Sequence, residues 1–213
     1  PAKRCASTPR RWLDFDSGIA PPEWPAEGVP FRRETFASHP AKLIVTRITA
    51  DKPGKTTATI KLGCQHKDHT ITLEKPATLV LNGKVQADGV AFEARAVVTH
   101  KGGTQTETAD SIQIAGADSI EIRLTAATNV ESWKSLAADP TKRVKETLAR
   151  SEKQTCKSLL DAPLADHREL FRRVSLDLGR TPAASLTTDA RIAAFKDGKD
   201  PALAALLFQY GRY

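Results

Sequence analysis

The sequence predicts a mainly β chain: an antiparallel β-sandwich over residues 11–136, then an α-helical linker over residues 137–213. Three observations predict it. Strand-like runs recur roughly every eight to twelve residues from Arg10 to Thr128, the spacing of sandwiches and barrels. Those runs alternate apolar and polar residues with a period of two, the pattern of a sheet with one covered face. Near residues 137–140 the period lengthens to that of amphipathic helices. Residues 1–10 carry neither pattern and are left unassigned and expected to be disordered.

Taken in order, Pro21-Pro22 and Pro25 mark an irregular early loop. Residues 43–48 and 77–81 are dense in apolar side chains and are expected to be central strands. Asp51-Lys-Pro-Gly54 has proline and glycine placed for a type I or II turn. Asn82-Gly83 and Gly102-Gly103 suit tight hairpins, which need positive φ angles, and Gly116-Ala-Asp118 links two short strands. Phe92, Ala94, Ala96 and Val98 alternate with Glu93 and Arg95; Ile120, Ile122 and Leu124 alternate with Glu121 and Arg123. The charged members are therefore expected on a wet face. The predicted core is Phe31, Ile44, Ile48, Phe92, Val98, Ile120, Ile122 and Leu124.

Beyond Pro140, Val144, Leu148 and Leu159 fit one face of a charged helix over residues 141–160. Pro163 is expected to open a second helix with Leu164, His167, Leu170, Phe171, Val174 and Leu178 inward, capped by Gly179. Thr188 is the expected N-cap of a helix at 189–196, and Asp200-Pro201 a cap and first turn for one at 201–210. Leu203, Leu206, Leu207 and Tyr210 then share a face that nothing later in the sequence covers.

Composition narrows the function. With 40% hydrophobic and 27% charged residues the chain is globular, and it has no apolar run near the ~20 residues of a membrane helix. The sequence starts at Pro1 without a methionine, so the true N-terminus is expected upstream. The net charge of +7 invites a nucleic-acid partner, but the basic residues are scattered beside acids such as Glu34, Glu146 and Glu169. Nucleic acid is therefore not the expected partner. Cys5, Cys64 and Cys156 are odd in number and widely spaced; one bridge is possible, but free thiols are the expectation.

Few clusters could carry chemistry. Cys64-Gln-His66-Lys-Asp68-His69 has metal-like composition, yet a structural zinc needs four ligands and no second pair follows at a workable interval. A polar hairpin loop is expected there. Ser38-His39-Pro40 reads as a turn, because adjacency in sequence does not make a relay. Glu34 has Arg32 and Arg33 as pairing partners, and Gly102-Gly103 lacks the lysine and helix of a phosphate loop. His167, on an apolar helix face, is expected to be a hydrogen-bonded core residue. No catalytic, cofactor-binding or metal-ligating residue is assigned to this chain, and no cofactor is implied.

Several segments together resemble the N-terminal region of glycoside hydrolase family 95, the α-L-fucosidases. They are Arg11-Trp-Leu-Asp-Phe-Asp16, like that family's R-x-LDL segment, and Gly28-Val-Pro-Phe-Arg-Arg-Glu-Thr-Phe-Ala-Ser-His-Pro40. In the same order follow Glu93-Ala94, Gly102-Gly103, Gly116-Ala-Asp118 and Leu124-Thr-Ala-Ala-Thr-Asn129. His167, Phe171, Val174, Leu176, Leu178-Gly179, Thr188, Arg191 and Leu207-Phe-Gln-Tyr-Gly-Arg-Tyr213 complete the likeness, which leaves residues 1–10 without counterpart. It implies a sandwich of the large sugar-hydrolase type, incomplete at its start, and a linker into a catalytic (α/α)₆ barrel in cis. The barrel's residues would lie beyond Tyr213, and Leu170, Phe171, Val174, Leu207 and Tyr210 would dock on it. The parent would hydrolyse terminal α-linked L-fucose from fucosylated glycans with inversion, and this part alone would be inactive. A secreted or periplasmic parent fits such a substrate, though the sequence leaves the compartment open. The alternatives are a carbohydrate-binding or interaction module using Trp12, Trp24 or Trp133, and the N-domain of a barrel glycosidase with another specificity.

Overall fold

The computed structural model describes residues 12–19, 23–87 and 89–213. Cys5, Arg10, Arg11 and the Pro21-Pro22 loop lie outside these residues. The chain divides into two compact units, one of Pro1–Trp12 with Ile19–Pro163 and one of Leu13–Gly18 with Leu164–Tyr213.

The first unit holds the described strands: β1 (Glu23–Ala26), β2 (Val29–Ser38), β3 (Leu43–Ala50), β4 (Thr56–Lys61), β5 (His69–Glu74), β6 (Thr78–Lys84), β7 (Ala91–Lys101), β8 (Thr104–Glu107), β9 (Ser111–Ala117) and β10 (Ser119–Thr128). A seven-stranded antiparallel sheet runs β1-β2-β3-β10-β7-β6-β5, and a three-stranded sheet runs β4-β9-β8. Apolar side chains of the two sheets interdigitate: Leu79, Ala96, Val98 and Ile120 from the large one meet Ile60, Ile112 and Ile114 from the small one. Fully burying each such Val, Ile or Leu side chain is worth roughly 1.5–3 kcal/mol. Helix α1 (Pro140–Ser151) covers the opposite face of β7 and β10. Beside it Phe36, Leu43, Val45 and Leu159 form a second core.

The alternation holds, but with a sandwich on one side and a helix on the other the central strands are covered twice. Glu93 and Arg95, expected in water, are only 2% and 6% exposed because α1 lies over them. Val98 and Ile120 are buried and Ile48, Ile122 and Leu124 pack against the core as expected. Ile44 does not: it stays 44% exposed, whereas its neighbours Leu43 and Val45 point to the second core. Phe31 leaves the core to stack on Trp24 across the β1–β2 pair, with ring centroids 5.8 Å apart. Phe92 is half-buried beside the His66 ring.

Turn chemistry is correct at Gly54, Gly102, Gly103 and Gly116, all of which have positive φ. Asn82-Gly83 makes no turn; both residues lie inside β6, and the chain reverses later, between β6 and β7. The need for glycine there is spatial, since a Cβ on Gly83 would sit 2.6 Å from Phe92 Cζ and 2.9 Å from the Asp68 carbonyl oxygen. The stretch from Cys64 to Asp68 is no hairpin either. It carries the chain from β4 in one sheet to β5 in the other.

The expected helix over 141–160 is two helices, α1 and α2 (Cys156–Phe171). The break comes where Arg123 of β10 donates to the carbonyl of Ser151 (2.6 Å), an acceptor the helix end leaves open, and to that of Gln154 (2.9 Å) in the connection. Thr155 Oγ1 then accepts from Ser158 N–H, giving α2 its start. Pro163 therefore lies buried within α2 rather than opening a helix. The division between the units falls inside this helix.

In the second unit α2 ends at Phe171, not Gly179, which has φ +82° in an irregular segment. Arg212 supplies the end, donating to the carbonyls of Phe171 and Val174 at 2.7 Å each. Helix α3 (Thr188–Ala194) has Thr187 rather than Thr188 at its N-cap. Helix α4 (Pro201–Arg212) starts as predicted, with the Asp200 carboxylate accepting from Leu203 N–H at 3.1 Å. Its Leu207 and Tyr210 are 68% and 58% exposed.

Candidate functional site

In the first unit the polar residues gather under α1. Arg95 donates through Nε to Glu93 Oε1 at 2.6 Å and through Nη1 to Glu74 Oε2 at 2.7 Å. Thr141, in the first turn of α1, donates to the other oxygen of Glu93 at 2.5 Å. The spacing of Glu93 and Arg95 puts both on one strand face, and burial forces them to pair. Both Glu93 oxygens thereby have a donor, so the group locks helix to sheet. An open groove of about 500 Å³ lies along Ile71, Leu73, Lys75, Glu107 and Thr108. One oxygen of its carboxylate is engaged, since Glu107 Oε1 accepts from both Ala77 N–H and the Gln105 amide.

The clusters singled out from sequence are taken up by local contacts. His69 Nδ1 donates to the His66 carbonyl at 2.6 Å, and no group of three metal-ligating side chains occurs among the described residues. Cys64 and Cys156 are free thiols. Burial, helped by the Glu121 charge, pushes the Cys156 thiol up, away from the reactive thiolate. Ser38 Oγ accepts from Ala41 N–H in the turn between β2 and β3, and Glu34 pairs with Arg32 at 3.1 Å. Gly103 belongs to a hairpin so tight that a Cβ would lie 2.4 Å from the Ala115 carbonyl oxygen, so the pair is a turn.

The second unit contains the more enclosed hollow, about 380 Å³, bordered by Phe15, Asp177, Arg180, Arg191, Leu206 and Gln209 among others. Arg191 and Asp200 form a buried fork on its wall, with contacts of 2.8 and 3.0 Å. The Arg191 guanidinium is the main cause that holds the Asp200 carboxyl below its ordinary value. His167 Nε2 donates to the Phe15 carbonyl at 2.6 Å while its ring stacks on Phe171, which anchors a backbone turn. Asp16 in that turn accepts from Arg172 and Arg168, and these guanidiniums, Arg172 foremost, lower its pKa to about 2. Sequence reasoning missed both arginine–aspartate clusters, since their partners are far apart in the chain or hidden in separate helices.

Residues 2–133 match the family described as "Glycosyl hydrolase family 65, N-terminal domain". The chain belongs to that family. The match reaches into the opening residues for which the motifs offered no counterpart. Residues 155–213 match a second description, "Glycosyl hydrolase family 95 catalytic domain". Among curated relatives, "Alpha-L-fucosidase 2" of Arabidopsis thaliana is 26% identical over 96% of this chain and 28% of its own length. "Probable alpha-fucosidase A" of Aspergillus niger is 23% identical over 96% of this chain and 28% of its own. The chain thus spans little more than a quarter of either relative, and is a glycosidase-family N-terminal part. A solved structure described as "Putative kojibiose phosphorylase from human microbiome" shares the fold, with a TM-score of 0.55 at 10% identity over 77% of this chain and 25% of that one.

Proposed function

We propose that this chain is the non-catalytic N-terminal part of an α-L-fucosidase that releases terminal α-linked L-fucose from glycans with anomeric inversion. In this reading residues 11–136 are a supporting sandwich, and residues 137–213 lead into a catalytic (α/α)₆ barrel in cis. The observation that carries it is the succession of two glycosidase matches along one chain, an N-terminal domain and then the segment matching a catalytic domain. The names of the curated relatives supply the substrate, fucose.

The geometry supports a non-catalytic role. Inverting hydrolysis needs one carboxyl group as acid and a second group that activates water across the sugar. The buried carboxylates among the described residues are Glu93 and Asp200. Each has both oxygens occupied by donors within its own unit. A general acid also wants a raised pKa, and that of Asp200 is lowered. No helix of the described residues is long and apolar enough to cross a membrane.

The test compares the purified chain with the same chain extended by the polypeptide its gene encodes downstream. The chain alone should release no fucose from an aryl α-L-fucoside. The extended protein should release it, with β-L-fucose as the first anomer in the proton NMR spectrum. Fucose release by residues 1–213 alone, or α-L-fucose appearing first, overturns the reading.

A further inference from the structure

Trp133 is the most exposed large hydrophobic residue described, at 88%. Fully exposing an indole forgoes the large area an aromatic ring contributes when it is buried. The loop that carries it is firmly built. Ser132 and Ser135 exchange backbone hydrogen bonds of 3.3 and 3.2 Å, so Trp133 and Lys134 are the two central residues of a tight reversal. Ser135 Oγ donates to Glu131, and Ala138 N–H donates to the Asn129 carbonyl at 3.1 Å. Arg143 of α1 donates to the carbonyls of Thr128 and Val130, tying the loop's near end to the helix that follows it. These bonds hold a shape whose product is an indole standing in solvent. Val130 and Leu136 flank it, both more than a third exposed.

We propose that Trp133 is a carbohydrate-stacking residue that takes a pyranose ring on its open indole face. The ammonium of Lys134 sits 4.4 Å from the ring centroid, which occupies one face and leaves the other. A pyranose presents a patch of C–H groups of about the right size to an indole, and its rim hydroxyls need polar partners close by. The Lys134 ammonium at the ring is one such partner. Nucleic-acid bases would also stack on it, but they bring phosphates that call for several cations; Lys134 supplies one at the ring, and Arg143 beyond it is spent on backbone carbonyls. This inference rests on the glycosidase reading above for its choice of sugar, and goes beyond it in assigning the contact to the N-terminal unit.

The experiment follows the three indole N–H signals of the intact chain by NMR, assigned with Trp12→Phe, Trp24→Phe and Trp133→Phe. Methyl α-L-fucoside, methyl α-D-glucoside and a fucosylated trisaccharide are titrated to several times a roughly millimolar Kd. The expected result is a saturable shift of the Trp133 signal, with trisaccharide affinity falling at least about tenfold in Trp133→Ala and unchanged in Trp12→Ala. The exposed site makes Trp133→Ala neutral for folding, checked by an unchanged Tm. If no sugar moves the signal, or Trp133→Ala binds the trisaccharide equally well, the stacking role is overturned while the family assignment stands. If the glucoside shifts Trp133 and both fucose ligands do not, stacking is upheld with another hexose, while the fucose reading stands or falls on the release assay. A shift produced by a single-stranded oligonucleotide and by none of the sugars overturns the proposal in favour of base stacking.

Discussion

The two units solve the burial problem in opposite ways. Every buried hydrophobic residue described belongs to the sheet unit, from Val29 to Leu159. In the helical unit the buried residues described are Arg191 and Asp200, an ion pair, while Leu207, Tyr210 and Ile192 remain exposed. A strand pair and a covering helix can enclose hydrocarbon within a short stretch of chain. Four turns of helix cannot do so without another helix to receive their apolar stripe. The helical unit is tied instead by directional contacts, the Arg191–Asp200 fork, the Asp16–Arg172 pair and the Arg212 cap, beside a cluster of rings from Phe15, His167, Tyr210 and Tyr213.

The largest effects should come from the sheet unit. Ile120→Ala, at a fully buried site, should destabilise by about 2–5 kcal/mol in denaturant unfolding, whereas Leu207→Ala should stay within about 0.5 kcal/mol. Equal effects would break the contrast. Glu93→Ala strips a buried guanidinium of its closest partner and should cost about 3 kcal/mol, with Glu93→Gln recovering part of it because the amide oxygen can still accept. Gly83→Ala should cost about 1–3 kcal/mol through the clash with the Phe92 ring and the Asp68 carbonyl, measured as a fall in midpoint at unchanged m-value.

Smaller effects sharpen the picture of the helical unit. Native-state hydrogen exchange should protect the amides of β7 and β10 far more than those of α3 and α4, since few apolar contacts hold the latter. Asp16 should titrate near its shifted value of about 2 by carboxyl NMR, and Arg172→Ala should move it back toward 3.8. Because the folded value lies below the ordinary one, the pair's contribution is complete above pH about 4 and is lost as pH falls toward 2. An Asp16 midpoint unmoved by Arg172→Ala would sink the assignment of cause.

Local signals were legible wherever the deciding atoms lie within a few residues. Asp200-Pro201 foretold the start of α4 because a cap acts on the amide three residues on. Gly102-Gly103 foretold a hairpin because two consecutive positive φ angles leave few alternatives to glycine. The helix ends were not legible. Arg123 closes α1 and Arg212 closes α2, each from a distant element, so Gly179 and Pro163 were credited with boundaries they do not make. Asn82-Gly83 misled for a related reason: the glycine answers to Phe92 across the sheet, not to a turn. The pinned, outward Trp133 was visible only as one of three tryptophans, since exposure is a property of what fails to pack against it.

By itself the sequence determined the sheet-then-helix order, the period of each strand and the chemistry of most turns, all set by dihedral preferences and short-range hydrogen bonds. The tertiary structure alone decided which charged residues are buried, where two helices stop and which hydrophobic residues stay in water. Those outcomes depend on the covering partner of each surface, and that partner is chosen by packing across the chain rather than by neighbours along it.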